Sequence, residues 1–397
     1  MTSWKTYKIG DIIDEIAMGP FGSNIKVDNF IDFGVPVLNG ANLQGFKLKE
    51  ESFNYVSSQK ADSLGKANAY RGDIVITHRG TLGQIVYIPN DSKFDRYIIS
   101  QSQFRVSLNS QYVLPEYFVY YFHTRIGQHK MLMNASQVGV PALARPTSTF
   151  KEITIGLPSL EEQRRIAGIL SAIDDKIENN RRINSNLELQ AQALFDEWFI
   201  TNTSRLGVFS KAYLTDIANY LNGLAMQRFR PLEGEIGIPV LKIKELGQGQ
   251  CDSSSDLCSP SIEEKYIVRD GDIIFSWSGT LLVDIWCGGV CGLNQHLFKV
   301  TSDKYPQWFI YYWTKHHLAK FIRIAKDKAV TMGHIKRGDL EVSEVLIPDE
   351  KSFAEMDKIM SPIFKAIVVN RIENRRLATL RDTLLPKLMN GEIKVAE

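Results

Sequence analysis

Cys251, Cys258, Cys287 and Cys291 are the four cysteines of the chain, and all lie in one stretch of its second half. Four thiolates can hold zinc, but the usual knuckle leaves two residues between paired cysteines, whereas six and three intervene here. Buried free thiols in a reducing compartment are the plainer reading. His316-His317 sits in an aromatic-rich helical stretch with no metal partners at ligand spacing. Pro348-Asp349-Glu350-Lys351 resembles part of a nuclease carboxylate cluster, but it opens a helix, where acidic side chains favour the dipole. Gly65-Lys66-Ala67 lacks the preceding glycine and the following Ser/Thr of a phosphate-binding loop. No Asn-Pro-Pro-aromatic tetrapeptide, the base pocket of amino-methyltransferases, occurs. These residues point to no catalytic centre, no metal site and no cofactor held by this chain.

Polar and basic loops recur instead. The first half offers Ser23, Asn24 and Lys26, then Asn39 and Asn42, His78 and Arg79, and a late loop from Gln137 to Arg145. The second half offers Gln227, Arg228 and Arg230, then Lys242 and Lys244, Trp277, and a late loop with His334, Lys336 and Arg337. Arg, Lys, Asn and Gln can meet base edges with paired hydrogen bonds, and the interspersed glycines let backbone approach phosphates. Each loop alone resembles any solvated turn, so the repetition carries the signal. Arg79, ending a strand before Gly80-Thr81, presents a fork that suits guanine O6 and N7 or one phosphate, and the residues leave both open.

The elements that hold these loops come as a tandem duplication. Gly34-Val35-Pro36-Val37-Leu38 returns as Gly237-Ile238-Pro239-Val240-Leu241, Gly72-Asp73-Ile74 as Gly271-Asp272-Ile273, and Phe104-Arg105-Val106 as Phe298-Lys299-Val300. The offset between partners drifts from 203 at Gly34/Gly237 to 190 at Pro158/Pro348, then stays at 190 to Trp198/Leu388. The constant part reads as helix. Ile166, Leu170, Ile173, Ile177, Asn180, Asn184 and Leu187, continuing to Ala191, Leu194 and Trp198, alternate fours and threes, the period of a coiled-coil seam. Met356, Met360, Ile363, Ile367, Asn370, Asn374 and Leu377 repeat it, continuing to Arg381, Leu384 and Leu388. Asparagines at the same two seam positions reject shifted pairings. The alternative is two amphipathic helices, each packed on its own domain. Ser159-Leu160-Glu161-Glu162 and Ser352-Phe353-Ala354-Glu355 have capping-box form, and Pro386 with Gly391 is expected to set the second end. Forty helical residues would span about 60 Å, a strut longer than a small domain. Residues 1–158 and 208–348 read as mixed α/β with many short strands, and the aromatic stripes after Pro115 and Pro306 read as core.

The 397 residues predict two or three compact units, and 44% hydrophobic with 23% charged residues is a globular balance. No apolar run is long enough to span a bilayer and Met1-Thr2-Ser3-Trp4-Lys5 lacks a signal-peptide stretch, so a cytoplasmic location without membrane contact is expected. The net charge of +2 gives no global case for nucleic acid, and any such case rests on local patches.

Over nearly its whole length the chain resembles the specificity subunits of Type I restriction-modification systems. The resemblance is carried by Gly34-Val35-Pro36-Val37-Leu38, by His78-Arg79-Gly80-Thr81-Leu82-Gly83, by Leu157-Pro158-Ser159-Leu160-Glu161-Glu162-Gln163-Arg164-Arg165-Ile166 and by Arg381-Asp382-Thr383-Leu384-Leu385-Pro386-Lys387-Leu388. The second unit departs from it, with Ser276-Trp277-Ser278 in place of Thr77-His78-Arg79 and Asp349-Glu350-Lys351-Ser352-Phe353 in place of the glutamate-glutamine helix start. The resemblance implies an α+β fold: two similar mixed α/β target-recognition domains joined by two long helices forming an antiparallel coiled coil, with pseudo-two-fold symmetry. The domains would be 1–158, a helix and linker 159–207, 208–348, and a second helix 349–397. It further implies a non-catalytic reader of a bipartite, asymmetric site in double-stranded DNA. Two modification (methyltransferase) subunits would dock on it, supplying S-adenosylmethionine, and restriction (translocase/endonuclease) subunits would join the complex. Two other readings stand beside it: the recognition region of a fused methyltransferase-nuclease, and a coiled-coil scaffold that binds proteins and no DNA.

Overall fold

The computed structural model describes residues 4–136, 139–201, 209–327 and 333–395. The chain forms two compact units, one of residues 1–174 with 379–397 and the other of residues 175–378.

The two units have the same sheet topology. In the first, Ile13–Met18, Gln103–Leu108, Ile74–Thr77 and Ile85–Tyr87 form an antiparallel sheet in that order. A second sheet runs Asn54–Val56, Val35–Val37, Arg96–Ile98, Asn68–Tyr70, with one parallel pairing at its centre. In the second unit the orders are Asn219–Asn222, Leu297–Thr301, Ile273–Ser276, Leu282–Ile285 and Leu257–Cys258, Ile238–Leu241, Cys291–Leu293, Ile267–Val268, again with the central pair parallel. A two-stranded ribbon closes each unit, Lys5–Lys8 on Thr154–Leu157 and Phe209–Tyr213 on Glu344–Pro348.

The repeated motifs are the joints of these sheets. Gly72 and Gly271 take φ of 87° and 92°, a left-handed turn that favours glycine. The next residue closes the turn: Asp73 accepts from the Tyr70 N–H at 2.9 Å, and Asp272 from the Arg269 N–H at 2.7 Å. Each aspartate also meets the basic residue of the neighbouring strand, Arg105 at 3.3 Å and Lys299 at 2.8 Å. Burial pushes the Asp73 carboxyl up, against the hydrogen bonds from Ser107 and Tyr70. The first three residues of the strand that follows are apolar because both its faces are covered. Ile74 and Ile76 point into one core and Val75 into another, and in the second unit Ile273 and Phe275 are separated from Ile274 in the same way. The aromatic stripes are core: Tyr117, Phe118, Tyr120 and Phe122 in one unit, and Trp308, Phe309, Tyr312 and Trp313 in the other, are buried.

The long helices span Leu160–Asp196, with a π turn to Thr201, and Glu350–Met389. Ser159 caps the first, accepting from the Glu162 N–H at 3.2 Å. The second starts earlier than its Ser352 suggests, because Asp349 takes the capping role and accepts from the Lys351 and Ser352 N–H groups at 3.1 and 3.0 Å. Nor does Pro386 end it. The proline sits in the last turn, where Asp382, whose carbonyl it leaves free, is exposed, and the helix stops just before Gly391 at φ 72°.

The two helices run antiparallel. In the second unit Asn180 Nδ2 donates to Asn374 Oδ1 at 2.9 Å, and Asn370 Nδ2 donates to Asn184 Oδ1 at 2.8 Å. The 190 offset maps one pair onto the other, which is the signature of a local two-fold relation between the two helices within this unit. In the first unit Arg381, a charged seam residue, donates to Asp174 Oδ1 at 2.7 Å and lies over the Phe46 ring. All the seam positions named above are buried or half-buried. Their ends pack on different cores: Ile166, Leu170, Leu385 and Leu388 in the first unit, Ala191, Phe195, Met356 and Met360 in the second.

Cys258, Cys287 and Cys291 are buried free thiols and Cys251 is half-buried. Burial pushes Cys258 and Cys287 up to about 11. Among the described residues no cluster of three His, Cys, Asp or Glu residues is placed to hold a metal, and no helix is long and apolar enough to cross a membrane. His317 donates to the Glu344 carbonyl at 2.8 Å, and burial pushes its pKa down to about 4.

Candidate nucleic-acid interface

In the first unit the late loop is stitched onto the turn after Ile74–Thr77. Gly80 N–H donates to the Pro141 carbonyl and Leu143 N–H to the His78 carbonyl, both at 2.8 Å, so that Arg79 bridges Ala142. The side chains of Arg79 and Arg145 are exposed on this platform and, among the described residues, make no hydrogen bond or ion pair. Arg145 has φ 45° immediately before Pro146, a left-handed conformation that costs an ordinary residue about 1–2 kcal/mol. His78 lies half-buried behind Arg79. Its Nε2 donates to the Gln101 carbonyl at 3.1 Å and its N–H to Ser102, and burial holds its pKa below the usual value.

The second unit repeats the stitch with other residues. Gly279 N–H donates to the Gly333 carbonyl at 3.0 Å and Ile335 N–H to the Trp277 carbonyl at 3.1 Å, with Ser278 bridging His334. Trp277 takes the place of His78. Its indole stacks on Phe298 with ring centroids 5.7 Å apart and donates to Asn222 Oδ1 at 2.9 Å. His334, Lys336 and Arg337 are exposed beside it.

A third loop adjoins each platform. At Gly19 and Gly223 an added Cβ would lie 1.9 and 2.2 Å from the carbonyl oxygens of Ser100 and Asn294, so only glycine permits the crossing. Beyond those glycines Ser23, Asn24 and Lys26 are exposed in one unit, and Gln227, Arg228 and Arg230 in the other. Gln227, Arg230 and Lys242 line a pocket of about 280 Å³ with Asp256 and Asn294.

Other predicted site residues serve the loops themselves. Asn42 is buried, and its amide donates to the Lys49 and Glu51 carbonyls at 2.9 and 2.7 Å. Asn39 caps the same turn, accepting from the Ala41 N–H at 2.8 Å. Lys242 is paired with Asp256, and Lys244 bonds Ser254 Oγ at 2.9 Å. Gln137 lies outside the described residues. Sequence reasoning missed Gln84, which joins the turn to the neighbouring loop by accepting from Thr77 Oγ1 and donating to the Gly40 carbonyl, both at 2.9 Å. It also missed His296, whose Nδ1 lies 3.0 Å from Ser278 Oγ. Neither residue has a counterpart in the other repeat that would have marked it.

The family model of the Type I restriction modification DNA specificity domain matches residues 1–189. A Type I restriction enzyme specificity subunit, MjaIX of Methanocaldococcus jannaschii, is 27% identical over 99% of this chain and 94% of its own length. The HindI specificity subunit of Haemophilus influenzae is 22% identical over 99% of this chain and all of its own. The crystal structure of a Type I restriction-modification S subunit from M. genitalium shares the fold, with a TM-score of 0.64 at 16% identity over 97% of this chain and 96% of that one. Residues 1–189 thus match the DNA specificity domain of this family, and the chain as a whole is similar to Type I restriction enzyme specificity subunits.

Proposed function

We propose that the chain is the DNA-reading component of a Type I restriction-modification complex. Each unit meets one half of a bipartite, asymmetric duplex site, and the helix pair sets the spacing between the halves. The observation that carries this reading is the repeated platform. Equivalent backbone hydrogen bonds present His78, Arg79 and Arg145 in one unit, and Trp277, His334, Lys336 and Arg337 in the other. One scaffold with two sets of side chains suits two different readings of one duplex. Exposed loop residues around each platform, including Lys26, Arg228 and Arg230, extend it along the backbone.

The chain does no chemistry in this reading. Two modification subunits dock on the outer faces of the helices, supply S-adenosylmethionine and flip the target adenine, and restriction subunits join them. Ile169 and Ile359, equivalent at the 190 offset and both exposed on the long helices, fit two like docking faces. The net charge of +2 fits a reader whose partners share the neutralisation of phosphates.

The test is binding to random-sequence duplex over a range of salt, with and without the partner methyltransferase. Salt-dependent binding that the partner tightens is expected. Its absence in both cases would reject the reading in favour of a protein scaffold, and methyl transfer by the purified chain alone would reject it in favour of a fused enzyme.

A further inference from the structure

We infer that Arg145 and Arg337 are phosphate contacts common to the two units, whereas the positions held by Arg79 and Ser278, and by His78 and Trp277, carry the difference in base preference. The inference rests on the DNA-reading function above. Arg145 follows the bridging residue Ala142 by three positions, and Arg337 follows the bridging residue His334 by three. The stitch before them is the same, Leu143 on His78 in one unit and Ile335 on Trp277 in the other, and Leu143 and Ile335 are both buried. The two arginines therefore follow the stitch at the same distance along the chain, Arg145 as the residue before a short helix and Arg337 as the first residue of one.

Both guanidinium groups are available. Arg145 has no side-chain partner among the described residues, and its carbonyl is held by Thr149 N–H and Oγ1 at 3.0 Å each. Among the described residues Arg337 meets only Glu341, at 3.8 Å with both side chains more than half exposed, a weak surface pair. A side chain that two readers share cannot tell their targets apart, and what every duplex presents alike is its phosphates. Where the platforms differ, arginine against serine and histidine against tryptophan, the readers can differ.

The test uses the full chain with its partner methyltransferase. Arg145→Asn deletes the charge while keeping a residue that tolerates left-handed backbone, and Arg337→Gln does the same in a helix. Each should weaken binding to a random duplex and to one carrying the methylated motif by the same factor, roughly tenfold. The log–log salt slope should flatten by about one, and by about two in the double variant. Arg145→Lys should restore most of the loss, and the motif methylated in cells should stay unchanged. Losses confined to the motif duplex, a relaxed base position in the motif, or binding equal to the parent at every salt concentration would each overturn the assignment. A parent protein without salt-dependent binding would instead fail the DNA-reading function itself.

Discussion

Arg79 is the exposed side chain whose role the residues alone left divided between a base and a phosphate. Its counterpart on the second platform is Ser278, so it stands where the two units differ. Arg79→Ala is expected to cost on the order of 1–3 kcal/mol on the cognate duplex and to relax one position of the motif, with little change on random DNA. Equal losses on both duplexes with a flatter salt slope would make it a phosphate contact. A second residue-scale prediction concerns Asp270. Burial works against its charge, but hydrogen bonds from Arg375 at 2.6 and 2.7 Å and from the Gly289 N–H at 2.9 Å hold its carboxyl below the usual range. A carboxyl depressed in the folded state stabilises above its unfolded pKa of about 3.9, and that contribution fades as the pH falls through the folded value. Arg375→Met should therefore lower the urea midpoint at neutral pH and shrink its decline below about pH 4. A decline identical to the parent's would show that the pair contributes nothing. The arginine was visible in the sequence, but its partner was not, because 105 positions separate them and only folding brings them together.

Among the elements, the helix pair corrects a detail of the sequence reading. From seam position alone, Asn180→Leu with Asn370→Leu, equivalent at the 190 offset, would be expected to raise stability and loosen register. The structure pairs Asn180 with Asn374 and Asn184 with Asn370, so that combination strips one amide from each of two pairs. Asn180→Leu alone is expected to cost about 1–3 kcal/mol by leaving the Asn374 carbonyl and Glu373 without their donor, and Asn374→Leu in the same chain should return much of it. Urea unfolding of the two single variants and the double measures the coupling, and strictly additive losses would deny it. The seam was legible because its period is local, three and four residues at a time. Which asparagine faces which depends on the stagger of two segments almost two hundred residues apart, and no local pattern contains it. The early start of the second helix at Asp349 belongs to the same scale, since an aspartate after a proline outcompetes a serine three residues on.

For the whole molecule, the duplication makes a prediction of its own. Exchanging residues 1–150 for those of a relative with a different motif should change one half of the methylated motif and leave the other half and the spacer alone. Mapping methylated adenines in the host genome before and after the exchange measures this, and a change in both halves would deny separate readers. The sequence by itself determined the internal repeat, the two helical seams and the turn at each Gly-Asp, because these rest on periodicity, on offsets and on residues that only certain backbones accept. It also pointed to His78, Arg79, Arg145, Trp277 and Arg337 as members of recurrent loops. Tertiary structure decided which loops converge. The late loop joins the strand turn through backbone N–H and carbonyl groups, which every residue carries and no sequence pattern reveals. It also withdrew Asn42 to the interior of its loop and tied Lys242 to Asp256, because a polar side chain written among candidate contacts bonds whatever folding places beside it.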